Sequence, residues 1–499
     1  MAVLETNIQP SSPALVKARA VSGIKILTMR TLISIVLRII SSLVLAHLLF
    51  PRDYGLFAVV SYITGLGMFL CDVGLSSALV RQSHAPTKDE SVTVFWCQQI
   101  FTTLASATII LSAPWMVHLY GLSSAAHLLI VSMSLGLFFS SLRIVPMMAL
   151  ERDLQFPTIA RCELTENVVQ TISTIALASL HWGAWALVGG CLLRGVVGLI
   201  CVWAASPWRP EGKFQFAIVK RLAAFGFAFQ LNAIVPSLVS GWAPMIVGRI
   251  LGVAAVGLVG WATNIASVPL MLSGIINRVA FPSYSRLQAD PEALGRYLGS
   301  SIRRLGALFS LLCPLVVIAC PVLIPLLFRA RWAPAIPLVQ WFSLECAVLT
   351  ITGLLASTQN ATGLAGERLA VTIGVGAMRW SVAYIVVRHF GLVGIGPSMF
   401  MISLSEMGLS SYLVRRRNSG CKRVTREVFE PIVIGGGLLA VSLAGGWAVA
   451  SGHLLLQTTV SLFLFLLSVS LLEAFTRGRV FLKEIHALTM MMRPTEQKA

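Results

Sequence analysis

Nine ionisable side chains stand inside long apolar stretches: Arg30, Arg38, Asp72, Arg143, Glu166, Arg194, Glu345, Arg379 and Glu406. A charge at the centre of a bilayer-crossing helix costs about 2.5–3.5 kcal/mol on insertion scales, so they cannot all face lipid. Each must turn to a partner or to a water-filled cavity. One reading is structural pairing, with Asp72 against Arg30 and Glu345 against Arg379. The other is that arginines left without an acid hold a diphosphate, because the guanidinium fork matches phosphate oxygens. The first half of the chain favours this second reading. Four arginines there, Arg30, Arg38, Arg143 and Arg194, face only Asp72 and Glu166. Arg38 and Arg194, near mid-depth, lead the candidates, followed by Arg30, Arg143 and Arg379. Gln230 and Asn232 either contact sugar hydroxyls or bond across to a neighbouring helix. Asp72, Glu166 and Glu345 are candidates for coupling to a proton or a sodium ion.

The elements that must position these residues follow from composition. The 499 residues are 56% hydrophobic and only 12% charged, with a mean hydropathy of +0.83. Soluble domains carry about 25% charged residues, so most of this surface faces lipid. A span needs about 20 residues, and backbone in lipid must satisfy its own hydrogen bonds. The chain therefore reads as an all-α integral membrane protein of about fourteen transmembrane helices. The expected spans are 26–48, 56–80, 92–117, 126–149, 162–180, 184–205, 222–248, 253–277, 305–328, 336–358, 369–387, 391–413, 430–450 and 454–475. No room remains for a folded extramembrane domain.

Of the 38 basic residues, Arg52, Arg249, Arg329, Arg331 and Arg388 fall in one set of alternate loops, and Arg30, Arg38, Arg143, Arg194 and Arg379 in spans. All the others lie in the opposite set with both termini, which marks that side as cytoplasmic. The net charge of +18 is thus spread over inner loops beside anionic headgroups, with no sign of a nucleic-acid partner. The cluster Arg415-Arg416-Arg417 reads as a topology signal. No GxxxxGK[ST] loop is present, the histidines are dispersed, and the nine cysteines form no CxxC pair. No cofactor, metal site or catalytic residue is expected.

Laid on itself at an offset of about 200 residues, in the manner of transporter repeats, the chain places Leu49–Leu56 over Leu251–Leu258 and His181-Trp182-Gly183 over His389-Phe390-Gly391. Spans 1–6 and 7–12 therefore read as a parallel pseudo-repeat. The boundaries are a tail at 1–25, six-helix lobes at 26–221 and 222–428, two appended helices within 429–476, and a tail at 477–499. Pro236 and Pro244 in the seventh span predict a bend that is either a gate or static packing.

Leu49-Phe50-Pro51-Arg52-Asp53-Tyr54-Gly55-Leu56-Phe57, Cys71–Arg81, Ala149–Phe156, Arg249–Gly257, Ala280–Gln288 and Arg331–Leu338 together resemble the Wzx-like polysaccharide flippases of the multidrug/oligosaccharidyl-lipid/polysaccharide superfamily. Val256 stands where that family commonly has Tyr, a change at the outer turn. The resemblance covers most of residues 26–415. It implies two lobes around a central cavity in the bacterial inner membrane and, as function, translocation of an undecaprenyl-diphosphate-linked oligosaccharide repeat unit. Expected partners are that lipid, anionic phospholipids, and the polymerase and glycosyltransferases of the same pathway. The alternative is a drug or organic-cation antiporter of the same fold. An enzyme is not expected, because every outer loop is short.

Overall fold

The computed structural model describes residues 13–72, 74–81, 86–122, 124–153, 155–270, 283–421, 424–450, 453–476, 481 and 483–484, and its regular structure is helical with no strand among them. The side chains of Asp72 and Asn232 lie outside the described set. The contact pattern divides the chain into two units, Met1–Ile234 and Val235–Ala499.

The first unit holds α1 (Pro13–Leu48), α2 (Pro51–Asp72), α3 (Leu75–Arg81), α4 (Lys88–Leu119), α5 (Ser124–Arg152), α6 (Phe156–Ser179), α7 (Ala184–Ala205) and most of α8 (Phe216–Ser240). The second continues through a π turn (Ala243–Val247), α9 (Gly248–Leu251), α10 (Val253–Ala266), α11 (Pro291–Phe328), a 3₁₀ turn (Ala330–Ala335), α12 (Ile336–Ala361), α13 (Ala365–Phe390), α14 (Ile395–Arg417), α15 (Val424–Ala450) and α16 (Leu454–Thr476). Each expected span overlaps one helix or an interrupted pair, and residues 271–277 of the eighth expected span lie outside the described residues.

Eleven helical stretches among the described residues are long and apolar enough to cross a membrane. The expected spans that fall short are those of α6, α14 and α10. The first two are interrupted by carboxylates and serines, and α10 is a shorter apolar helix of Val253–Ala266. Large apolar side chains such as Leu111, Trp115, Val433 and Leu455 point outward. An outward apolar face suits lipid as solvent.

In the first unit α6 packs along α7 and α1, α5 along α7 and α4, and α2 along α4 and α5. The core includes Leu75, Leu79, Val94, Phe95 and Val145. In the second unit α11 packs along α12 and α15, α12 along α14, and α13 along α14. One core there runs through Leu294, Leu298, Ile302, Phe309, Ile351 and Leu354.

Local chemistry marks the helix ends. Thr87 caps α4 in a capping box: its hydroxyl accepts from the Glu90 amide at 3.2 Å, and Glu90 Oε2 accepts from the Thr87 amide at 2.8 Å. The expected span 56–80 is two helices, parted at Gly74. That residue adopts φ +74°, and a side chain there would overlap the carbonyl of Gly226 on α8. Only glycine meets both conditions without strain. The seventh span holds a π turn at Ala243–Val247 that contains Pro244, whose missing N–H lets the hydrogen-bond register slip, while Pro236 lies inside the unbroken helix α8. α1 starts at Pro13, so the latter part of the expected tail is helical.

Candidate functional site

α6 carries Glu163, Glu166, Asn167, Gln170 and Thr174 at intervals of three and four residues, which places them on one stripe. α1 meets the lower part of that stripe. Arg30 Nε lies 2.9 Å from Glu163 Oε2, and one turn further Asn167 Nδ2 donates to Ser34 Oγ at 3.1 Å. Arg38 follows a turn later on the same face of α1. It is exposed and forms no ion pair with a described residue.

α5 and α7 close on the stripe from the other side. Glu166 has no exposed surface. Arg143 Nη1 of α5 stands 2.7 Å from Glu166 Oε1, and Arg194 Nε of α7 stands 3.5 Å from Oε2. Arg194 Nη1 also donates to Gln170 Oε1 at 3.3 Å, and Gln170 Nε2 donates to Cys191 Sγ at 3.4 Å. Gly198 on α7 makes room for this cluster, because a methyl there would overlap both Arg143 Nη1 and Glu166 Oε1.

Three guanidiniums therefore share two carboxylates, and Arg38 adds a fourth with no ion pair to a described residue, leaving an excess of positive charge among apolar helices. Arg30 meets Glu163, while the expected pairing of Arg30 with Asp72 lies outside the described residues. Glu163 and Gly198 are the residues that reading missed. The three-and-four spacing on α6 would have revealed Glu163; nothing local in the sequence marks Gly198.

The second unit builds a triad of the opposite sign. Arg379 of α13 stands between Glu345 of α12 at 3.3 Å and Glu406 of α14 at 3.7 Å. Ser403 joins them: it accepts from Arg379 Nη2 at 2.7 Å and donates to Glu345 Oε1 at 2.5 Å. The expected Glu345–Arg379 pair is thus present, with Glu406 as a second acid. In the first unit an acid is held between two arginines on three successive spans. In the second, an arginine is held between two acids, again on three successive spans. Gln230 bonds across to a neighbouring helix, its Nε2 donating to the Phe69 carbonyl at 2.6 Å.

Gly183 and Gly391 adopt nearly the same positive-φ conformation, with φ, ψ of 55°, −130° and 61°, −142°. The helices that follow them, α7 and α14, each carry one member of a triad.

Comparison with known proteins fits this architecture. A family model described as polysaccharide biosynthesis protein matches residues 44–337. The chain is 26% identical over 318 residues to the succinoglycan biosynthesis transport protein ExoT of Rhizobium meliloti, covering 63% of each chain. More than a third of that relative's length is therefore unmatched. It is also 26% identical over 360 residues to the lipopolysaccharide biosynthesis protein WzxC of Escherichia coli, covering 70% of this chain and 69% of the relative. Among solved structures, the fold is similar to the lipid II flippase MurJ in an inward closed conformation. That match has a TM-score of 0.71 at 11% identity, over 90% of this chain and 99% of that one. A multidrug resistance MATE family transporter of the MOP superfamily, inward-facing, matches with a TM-score of 0.64 at 16% identity, over 80% and 99%. With its family match running from the end of α1 through the charged stripe of α6 and α7 and into α12, this multi-pass membrane chain belongs to the polysaccharide biosynthesis protein family.

Proposed function

We propose that the chain is a flippase. It moves an oligosaccharide repeat unit linked to undecaprenyl diphosphate from the cytoplasmic to the outer leaflet of the bacterial inner membrane, for extracellular polysaccharide synthesis. The observation that carries this reading is the positive excess of the α1–α6–α7 cluster within apolar helices. Anionic diphosphate offsets that excess, with Arg38 and Arg194 as its first contacts and Arg30 and Arg143 supporting them. The relatives named as polysaccharide transport and biosynthesis proteins agree with such a substrate.

In this scheme the lobes at 26–221 and 222–428 rock about a central cavity, with the helices of 429–476 appended. The lipid tail stays in the bilayer while the polar head crosses. Both termini are cytoplasmic, and the pathway's polymerase and glycosyltransferases are the protein partners. Moving a negative charge out of an inside-negative cell releases about 2.3 kcal/mol per charge per 100 mV, so the potential itself can drive transport. Uptake of a proton or sodium ion at Glu345, beside Arg379, or at Asp72 or Glu166 would add a second coupling.

The Glu345 and Glu406 carboxylates beside Arg379 favour one competing reading, a drug or organic-cation antiporter of the same fold. Both are tested in proteoliposomes with a labelled lipid-diphosphate oligosaccharide. Wild type should flip it, faster under the outward-driving potential. Arg38→Ala and Arg194→Ala should each slow it about tenfold, the order of one lost charge-assisted contact. Failure across a varied panel of sugars, together with export of cationic dyes, would establish the antiporter instead.

A further inference from the structure

α13 and α14, consecutive helices of the second unit, lie side by side. Between them runs a groove of about 530 Å³. Gly374, Met378 and Leu409 line its apolar length, and Glu367, Arg416 and Arg417 line its end. From Glu367 to Met378 the helix rises roughly 16 Å at 1.5 Å per residue. That is close to half of a hydrocarbon core about 30 Å thick, so the groove has the depth of one leaflet.

The charges at its end are unequal. Arg417 holds Glu367 through two bonds to Oε1, from Nη2 at 2.6 Å and Nε at 3.1 Å. Arg416 is exposed and has no ion pair with a described residue. The mouth therefore offers one unneutralised guanidinium, while its carboxylate is already taken. A phosphate would be held there, and an ammonium headgroup would find no acid of its own.

We propose that this groove binds an anionic glycerophospholipid from the leaflet at its basic end. One acyl chain lies along Gly374, Met378 and Leu409, and the phosphate accepts from Arg416. Part of the basic cluster that reads as a topology signal thus also serves as a headgroup anchor. The inference does not depend on what the chain transports.

The test reconstitutes the full chain in phosphatidylethanolamine vesicles containing phosphatidylglycerol with a diazirine in its acyl chain, and maps photolabelled peptides by mass spectrometry. Label should concentrate in α13 and α14 and fall about tenfold in Arg416→Gln, the order of one charge-assisted bond to phosphate. Gly374→Leu should give a similar fall by filling the groove, since a Cβ at 374 meets no neighbour within 4 Å. Arg415→Gln, beside the groove but not lining it, should label as wild type. Equal labelling by a diazirine phosphatidylcholine, or labelling unchanged in both groove variants, would reduce the groove to bulk lipid contact and overturn the proposal. Displacement of the label by equimolar undecaprenyl diphosphate would overturn it differently, by assigning the groove to a polyprenyl lipid.

Discussion

Glu166 has no exposed surface and two guanidiniums against its carboxylate, so changing it does more than delete a contact. Glu166→Gln leaves Arg143 and Arg194 beside each other with no counter-charge. Both arginine side chains are partly exposed, so the loss falls below the figure of about 3–5 kcal/mol for a fully buried pair, and the variant's thermal unfolding in detergent should still move down. Arg194 has a side chain 44% exposed. Arg194→Ala should therefore leave the melting curve close to wild type while transport falls. If both variants melt alike, the cluster is structural throughout. Gly198→Ala adds a methyl where Arg143 and Glu166 meet. It should impair transport with the protein still inserted, whereas Gly408→Ala, in open space, should be neutral or slightly stabilising, by about 0.5–1 kcal/mol. Arginine excess was legible from residue types alone. The Glu345–Arg379 pair was legible too, whereas the Arg30–Glu163 pair was not, because those residues are brought together only by the packing of α1 on α6.

At the scale of elements, the helices least apolar by sequence are informative. α6 and α14 fall below the hydropathy of a lipid-bathed span because each presents polar groups to its neighbours. The break between α2 and α3 depends on glycine for both its conformation and its contact with Gly226. Gly74→Ala should lower the yield of folded protein in the membrane, measured as the monodisperse fraction on size exclusion. Gly65→Ala, on α2 in open space, is the control and should not. The helix positions and the proline-associated irregularity of the seventh span were readable as hydropathy and proline spacing. The break at Gly74 was hidden because Val73-Gly74-Leu75 continues an apolar run, and glycine is common inside membrane helices.

For the whole molecule, topology and thiol access provide a check that is independent of transport. Cys421, fully buried in the turn after α14, has its thiol pushed up to about 11, first by burial and then by the nearby Glu427 carboxylate. A raised value means almost no thiolate at neutral pH, and the thiolate is the reactive form. Maleimide labelling of Cys421 in vesicles should stay slow near pH 7.5 and rise sharply once the protein is unfolded. Rapid labelling of the folded protein would contradict the burial. Reporter fusions at residues 25 and 476 should both report the cytoplasm; a fusion reporting the outer side would refute the reading from basic loops.

A helical, lipid-embedded chain follows from amino-acid order alone, because low charge and repeated apolar runs of span length admit no other backbone solution in a bilayer. The ordered motifs likewise carry the family, and the basic loops carry an expected orientation, since both are written locally along the chain. Helix packing added the partners that no local pattern marks: Glu163 for Arg30, two arginines for Glu166, and Glu406 as the second acid of Arg379. Those choices depend on which helix faces pack together and on where a glycine leaves room. Both are long-range outcomes that no single apolar run encodes.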